Sequence, residues 1–286
     1  MKSGLVAVAG RPNVDKSTLV NSLTGEKVAI TSRVPNTTRR RIFGVAGGAD
    51  WQLVLIDLPG FQRPMDMLTE RMQETVDSSF SDVDVVMLVL SARDRIGAGD
   101  HYIAKRVFAL GVPVVIALNK IDRLKHGHVA SQMKVAAELG DFHALHPVSA
   151  LVKDGIDELR TDLIALLPEG PALFPPDQST DLTLDERIGE VIREKALQLT
   201  REEVPHACAV EIVEIAESRV SALVVVETES QKGILVGKKG AMIREIGVRA
   251  RPEVEALLGH AVFLELVVKV RPRWRRDPRS LERLGL

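Results

Sequence analysis

At 286 residues the chain is long enough for two ordinary domains, and 45% apolar with 27% charged residues is the mix of a globular protein with real cores. Aromatics are only 3%, so Val, Leu, Ile and Ala must fill those cores, and a net charge of −1 gives no bulk sign of a nucleic-acid partner. The single cysteine, Cys208, excludes an intrachain disulfide and fits a reducing, cytoplasmic setting, and no apolar run reaches the ~18–20 residues that span a bilayer.

Residues 1–167 alternate between short apolar runs and helical spacing. Stretches 5–9, 52–56, 83–90 and 112–118 read as buried strands, with 147–148 as a short last one. Stretches 17–23, 100–110 and 128–139 carry helical periodicity. Continuous apolar strands separated by helices predict an α/β domain with a mostly parallel sheet and helices on both faces. Residues 4–9 mimic the apolar part of a signal peptide but run straight into a glycine-containing turn, so they read as the first strand.

That turn is Gly10-Arg11-Pro12-Asn13-Val14-Asp15-Lys16-Ser17-Thr18. It follows a strand and opens a helix, the context required of a phosphate loop. Backbone N–H groups of Gly10, Asn13, Val14, Asp15 and Thr18 would face phosphate oxygens, helped by the helix N-terminus. Lys16 would reach the terminal phosphates and the Ser17 hydroxyl a Mg²⁺ ion. Asp15 breaks the pattern, because glycine is expected there. At ~4 Å and an effective dielectric of about 20, one pair of unit charges is worth roughly 4 kcal/mol. Mg²⁺, Lys16 and rotation of the carboxylate toward solvent would offset part of that repulsion.

Further along, Val34-Pro35-Asn36-Thr37-Thr38-Arg39 reads as a switch segment, with Thr38 ahead of Thr37 as a Mg²⁺ ligand. Asp57-Leu58-Pro59-Gly60 ends the strand at 52–56; Asp57 would hold Mg²⁺ through water and the Gly60 N–H would meet the terminal phosphate. Lys16, Thr38 and Gly60 are the candidate catalytic set. Phe61 stands where a glutamine often orients water, so hydrolysis is expected to be slow. Asn119-Lys120-Ile121-Asp122 ends the strand at 112–118. An Asp122 carboxylate accepts from both guanine N1–H and the 2-amino group, donors adenine lacks. Lys120 would lie along the base, Asn119 would tie loops together, and Ser149-Ala150 would complete the base site with the Ala150 N–H near the guanine oxygen. An ordinary turn explains any one of these elements; their order after successive strands does not reduce to that. His126 and His128 lie in a polar loop without ligand spacing.

Residues 168–182 hold four prolines and read as a linker. Beyond it, Ile188, Val191, Ile192, Ala196 and Leu199 form a helical stripe over 184–199. Strands are expected at 210–215 and 223–226, helices at 231–236 and 241–258, and a strand at 262–270. Gly237-Lys238-Lys239-Gly240 joins the last two helices, as in the RNA-clamping loop of KH domains. From 266 to 286 there are seven basic residues (Lys269, Arg271, Arg273, Arg275, Arg276, Arg279 and Arg283) against Asp277 and Glu282. Arg273, Arg275 and Arg276 join the loop as candidate RNA contacts, and Trp274 reads either as a base-stacking residue or as packing. The organisation expected is a P-loop GTPase domain at 1–167, the linker, and a smaller α+β KH-type domain, helix first, at 183–286.

On these motifs, together with the run from Ser230 to Gly240 and Val267-Val268-Lys269-Val270 with Trp274-Arg275-Arg276-Asp277-Pro278, the chain resembles the Era family along its whole length. The resemblance implies a GTPase that binds GTP or GDP with Mg²⁺ and recognises the 3′ end of 16S ribosomal RNA on the small ribosomal subunit. It also implies a cytoplasmic location, with peripheral association at the inner face of the cell membrane, and no stable oligomer. An apolar residue near position 61 is usual in that family. Two positions depart from it: Asp15 replaces glycine and Leu58 replaces threonine. Asp15 motivates the alternative of a nucleotide-impaired RNA-binding adaptor on the same scaffold; an ATP-dependent protein is disfavoured by Asp122.

Overall fold

The order of apolar runs yields the expected sheet, with one strand that the runs did not announce. The computed structural model describes every residue except Arg33, Asn36, Gln62 and Arg63, and omits the side chain of Arg123; Asn36 of the switch motif therefore lies outside the described residues. Contact density divides the chain into one unit made of Met1–Thr31, Pro35–Arg63 and Met72–Asp181, and another made of Ser32–Val34, Pro64–Arg71 and Leu182–Leu286.

The first unit runs β1 (Lys2–Ala9), α1 (Lys16–Thr24), β2 (Ile42–Gly47), β3 (Trp51–Asp57), α2 (Met67–Ser78, whose first turn falls in the other unit), β4 (Val85–Ser91), α3 (Ala98–Phe108), β5 (Val114–Asn119), α4 (His126–Ala137), β6 (Ala144–Pro147) and α5 (Ile156–Leu166). The sheet order is β2-β3-β1-β4-β5-β6, parallel throughout except for β2, which pairs antiparallel with β3. Alternation along each strand feeds two cores. Val6, Val8, Val85, Met87 and Val89 pack with Leu19 and Leu23 of α1 and Leu159 and Leu163 of α5. Ala7, Ala9, Val86, Leu88 and Leu90 pack on the opposite side with Val76, Ile103, Val107 and Ala136. Both faces are thus covered by helices, and every residue of β4 is buried. Gly10 follows β1 directly, and Asp57 and Asn119 are the last residues of β3 and β5, so all three lie at the C-terminal edge where open α/β sheets bind ligands.

Residues 173–181 run along this same unit. Gln52 Oε1 accepts from the amides of Leu173 (2.7 Å) and Phe174 (2.9 Å), and its Nε2 donates to the Phe174 carbonyl at 2.8 Å. Phe174 packs on Phe43 with ring centroids 5.7 Å apart. Val45 N donates to the Ser179 carbonyl at 2.8 Å, and Thr180 bridges Gly44 antiparallel on the outer edge of β2.

The second unit contains α6 (Leu184–Leu199), α7 (Val204–Ala207), β7 (Ala209–Ala216), β8 (Arg219–Val226), α8 (Glu229–Val236), α9 (Ala241–Leu258), β9 (Phe263–Val270) and α10 (Pro278–Arg283). Its sheet is β7-β8-β9, antiparallel then parallel. Thr183 with Glu186 and Thr228 with Gln231 form capping boxes that start α6 and α8. The stripe Ile188, Val191, Ile192 and Ala196 joins Val224, Leu235, Ile246 and Val254 in one core. On the same helix Arg193 is buried and forks onto Glu190, with Nε–Oε1 at 2.8 Å and Nη2–Oε2 at 2.6 Å.

Candidate nucleotide site and nucleic-acid groove

The phosphate loop closes on itself through Lys16. The side chain is buried, and its ammonium donates to the carbonyls of Gly10 (3.2 Å) and Arg11 (3.1 Å). Burial lowers its pKa to about 8, against the opposing pull of the Asp57 and Asp15 charges. The loop is braced from outside, because Arg11 Nε donates to Asp100 Oδ1 at 2.7 Å and Asp100 is buried at the start of α3. No motif announced Asp100; its only sequence signal is an acidic residue in the first turn of a helix.

Ser17, Thr38 and Asp57 meet although they come from a helix start, a loop and a strand end. The Ser17 hydroxyl donates to Asp57 Oδ2 at 2.6 Å, the Thr38 hydroxyl donates to the same oxygen at 3.1 Å, and the two hydroxyls are 2.9 Å apart. Asp57 is fully buried and its Oδ1 has no partner among the described residues. Burial raises the Asp57 pKa, opposed by the Ser17 hydrogen bond, the Lys16 charge and the Thr38 hydrogen bond. A buried carboxylate with an unused oxygen beside two hydroxyls is an all-oxygen donor set that fits Mg²⁺. Gly60 packs against the phosphate loop, where a Cβ would come within 2.9 Å of Pro12 N. Thr18 stands in the first turn of α1, half-buried.

The two oddities of this motif turn out to be core residues. Leu58 is completely buried and belongs with Ile56, Phe61 and Val76. Phe61 stacks on Phe80 with centroids 6.0 Å apart, under the Arg106 guanidinium at 5.5 Å. Neither side chain has a polar atom to present to a water.

The base side is built around Asn119. Its Nδ2 donates to the Val14 carbonyl at 3.0 Å, and its Oδ1 accepts from Lys120 N (2.8 Å) and Ala150 N (3.0 Å). One buried amide therefore joins the phosphate loop, its own loop and the Ser149-Ala150 turn. The Ala150 amide, expected from the sequence near a guanine oxygen, donates here to Asn119 Oδ1. Ser149 Oγ donates to Asp122 Oδ1 at 2.8 Å, fixing one carboxylate oxygen. Lys120 Nζ donates to the Asn13 carbonyl at 2.6 Å and pairs with Asp15 Oδ1 at 2.9 Å.

In the other unit, Gly237 and Gly240 both take positive φ (67° and 78°), and a Cβ on Gly237 would come within 2.9 Å of Met242 N. Lys238 and Lys239 are exposed between them. Beside the loop a groove is lined by Ile243, Gly247 and Leu266 with the exposed Arg244, Arg251 and Phe263. Sequence spacing did not reveal these groove residues, which come from one face of α9 and from the edge strand β9 that follows it. Arg273 and Arg276 are exposed, whereas Arg275 is held by Glu227 at 2.7 Å. Trp274 is completely buried and its indole Nε1 donates to the Ala207 carbonyl at 2.9 Å, so of the two readings packing is the one realised.

Residues 5–120 match the family described as 50S ribosome-binding GTPase, and residues 203–275 match the KH domain family. The whole chain is similar to GTPase Era of Mycobacterium sp. (strain KMS), 42% identical over 99% of this chain and 98% of that protein. It is likewise similar to GTPase Era of Mycobacterium tuberculosis (strain ATCC 25177 / H37Ra), 43% identical with the same coverage. Among solved structures it resembles an Era variant from Aquifex aeolicus bound to GDP and AlF4⁻, with TM-score 0.96, 39% identity, and coverage of 100% of this chain and 99% of that one. It matches with the same values an Era in complex with MgGDPNP and nucleotides 1506–1542 of 16S ribosomal RNA.

Proposed function

As this chain belongs to the Era family of GTPases, we propose that it is a GTP-binding, slowly GTP-hydrolysing factor of small-ribosomal-subunit assembly that binds the 3′ end of 16S ribosomal RNA. The observation that carries this reading is the meeting of Ser17, Thr38 and Asp57, with one Asp57 oxygen buried and unpartnered among the described residues. The donor set calls for a hard cation, and Lys16 beside it calls for phosphate.

Gly10, Asn13, Val14, Asp15, Lys16, Ser17 and Thr18 would cradle the phosphates, and Asn119, Lys120, Asp122, Ser149 and Ala150 would take the base. Ser17, Thr38 and Asp57 would hold Mg²⁺, which when bound neutralises charge on the phosphate oxygens. Lys16 and the Gly60 N–H would stabilise charge on the terminal phosphoryl group as water adds and the bond to GDP breaks. Phe61 is committed to packing, so the chain has no side chain at that point to orient the water, and turnover is slow. Gly237–Gly240 would clamp a single-stranded backbone, Lys238 and Lys239 would meet phosphates, the adjoining groove would take bases, and the exposed Arg273 and Arg276 would add charge, with Arg275 beside them paired to Glu227. The protein works in the cytoplasm on the small subunit, with peripheral attachment at the inner membrane face and without a stable oligomer; among the described residues no helix is long and apolar enough to cross a membrane.

Asp15 supports a second reading, in which RNA is bound without nucleotide control. The experiment that separates the two is RNA affinity measured with a non-hydrolysable GTP analogue, with GDP and without nucleotide. The GTP-controlled reading expects the analogue to give the tightest binding. Equal affinity in all three states leaves the adaptor.

A further inference from the structure

Position 15 is where the phosphate loop departs from its pattern, and the structure shows where the side chain goes. Asp15 takes the left-handed conformation, φ 64° and ψ 45°, which Asp and Asn tolerate better than other side-chain-bearing residues. Its carboxylate reaches Lys120 Nζ at 2.9 Å, and the same ammonium donates to Asn13 O at 2.6 Å. Lys120 is therefore bound twice to the phosphate loop, once by a backbone carbonyl and once by a charge. Asn119, next to it, holds a third point of the loop at Val14 O, 3.0 Å away.

Two lysines belong to this region, Lys16 inside the loop and Lys120 beside it. Asp15 cancels one of them. It also stands between Val14 and Lys16, so its own backbone N–H belongs to the cradle and its side chain starts a few atoms from any phosphate held there. The pair with Lys120 turns the carboxylate sideways along the loop, and the side chain is 42% exposed. That geometry spares the fold and keeps the charge beside the loop that would cradle a phosphate.

We propose that Asp15 is an affinity-setting residue. Its pair with Lys120 stabilises the nucleotide-free loop, and its charge disfavours the phosphate-loaded one, so guanine nucleotide leaves quickly without an exchange partner. This rests on the guanine-nucleotide reading of the site and adds to it how the site is emptied. The substitution acts on both ends of the exchange equilibrium in the same direction. Glycine, lacking the carboxylate, acts on neither.

The test uses the full-length chain and its Asp15→Asn and Asp15→Gly variants. Release of a fluorescently labelled GDP is followed by stopped flow, and Kd for Mg²⁺–GDP by calorimetry. Asn keeps the shape and the tolerance for left-handed backbone and removes the charge alone. Asp15→Asn is expected to tighten Kd and slow release by at least about tenfold, and the gap from the parent should narrow as salt screens the repulsion. Asp15→Gly is expected to match or exceed it. An Asp15→Asn variant that binds like the parent overturns the proposal. Tightening confined to Asp15→Gly also overturns it, because bulk rather than charge is then responsible. If none of the three forms binds guanine nucleotide, the reading of the site itself fails and the proposal falls with it; binding that is equal in all three leaves that reading standing and sinks only the role of Asp15.

Discussion

Ser17 donates a 2.6 Å hydrogen bond to one oxygen of Asp57, and the other oxygen of the same buried carboxylate has no partner among the described residues. The carboxylate is costly to bury in this state, as the upward shift of its pKa records. Replacing Asp57 with Asn removes that cost and with it the charge that would hold Mg²⁺. Without ligand, Asp57→Asn should therefore melt at the parent temperature or higher. With Mg²⁺ and a GTP analogue it should lose most of the stabilisation the parent gains. Thermal unfolding with Mg²⁺ or with EDTA reads both effects; a destabilised ligand-free variant would contradict the argument.

Lys16 gives a pH dependence with a definite sign. Its pKa is lowered from 10.5 to about 8 by burial, while phosphate favours the protonated form. Below pH 8 the ammonium is already charged. Above it, binding must take up a proton, and affinity should fall by up to about tenfold per pH unit. The ligand-free fold should respond in the opposite sense. A lysine whose folded pKa lies below its unfolded value costs stability at low pH, and that cost is relieved as pH rises from about 8 to 10.5. Calorimetry across this range, in buffers of different ionisation enthalpy and against Lys16→Met, would show the proton uptake or its absence.

Asp122 offers a test of base identity. One carboxylate oxygen is already taken by Ser149 Oγ at 2.8 Å, which fixes the group's orientation. Asp122→Asn puts an amide donor where the guanine amino group needs an acceptor. GDP binding should weaken by about 1–3 kcal/mol, and xanthosine diphosphate, with a carbonyl at that position, should become the better ligand in competition. Unaltered preference for guanine would remove Asp122 from the base site.

Much of this site was legible because strand ends announce themselves. Apolar runs located β1, β3, β4 and β5, and Gly10, Asp57 and Asn119 stand at the C-terminal ends of β1, β3 and β5. Strand β2 was missed because Gly44 and Gly47 interrupt its apolar pattern, and its stability comes from pairing with β3. Helix α2 was missed although Leu68, Met72 and Val76 recur at helical spacing and are buried; the polar residues between them, Glu70, Arg71, Glu74 and Thr75, masked the stripe. The last strand was placed at 147–148 but occupies Ala144–Pro147; Val148, just past its end, still donates to Leu118 O at 2.9 Å and packs in the core. Pairings such as Asp15 with Lys120 and Arg11 with Asp100 link residues about a hundred positions apart, and no local pattern encodes them.

Lys238 and Lys239 contrast with Trp274. The two lysines are exposed and should act through charge, so replacing both with Ala should weaken binding of single-stranded RNA and lower the salt slope by about 1.4, at about 0.7 per phosphate contact. Trp274→Ala removes a buried ring and its hydrogen bond to Ala207, which should cost about 3–5 kcal/mol of stability. Titration of a pyrimidine-rich oligonucleotide at several salt concentrations, together with denaturant unfolding, distinguishes the two. A Trp274→Ala chain that folds normally but no longer binds RNA would restore the ring as a stacking platform.

The run of chain over residues 173–181 does more than connect. An edge strand presents a row of unpaired N–H and C=O groups that a second polypeptide can recruit. Here Val45 N is already taken by Ser179 O and Gly44 is bridged by Thr180, while the prolines at 175 and 176 cannot extend the ladder with amide donors of their own. The segment acts as a seal: it satisfies part of the open flank of β2 and offers little for another chain to continue. A fragment ending at 167 would bare that flank and be prone to self-association, whereas one ending at 181 would carry its own protection against it.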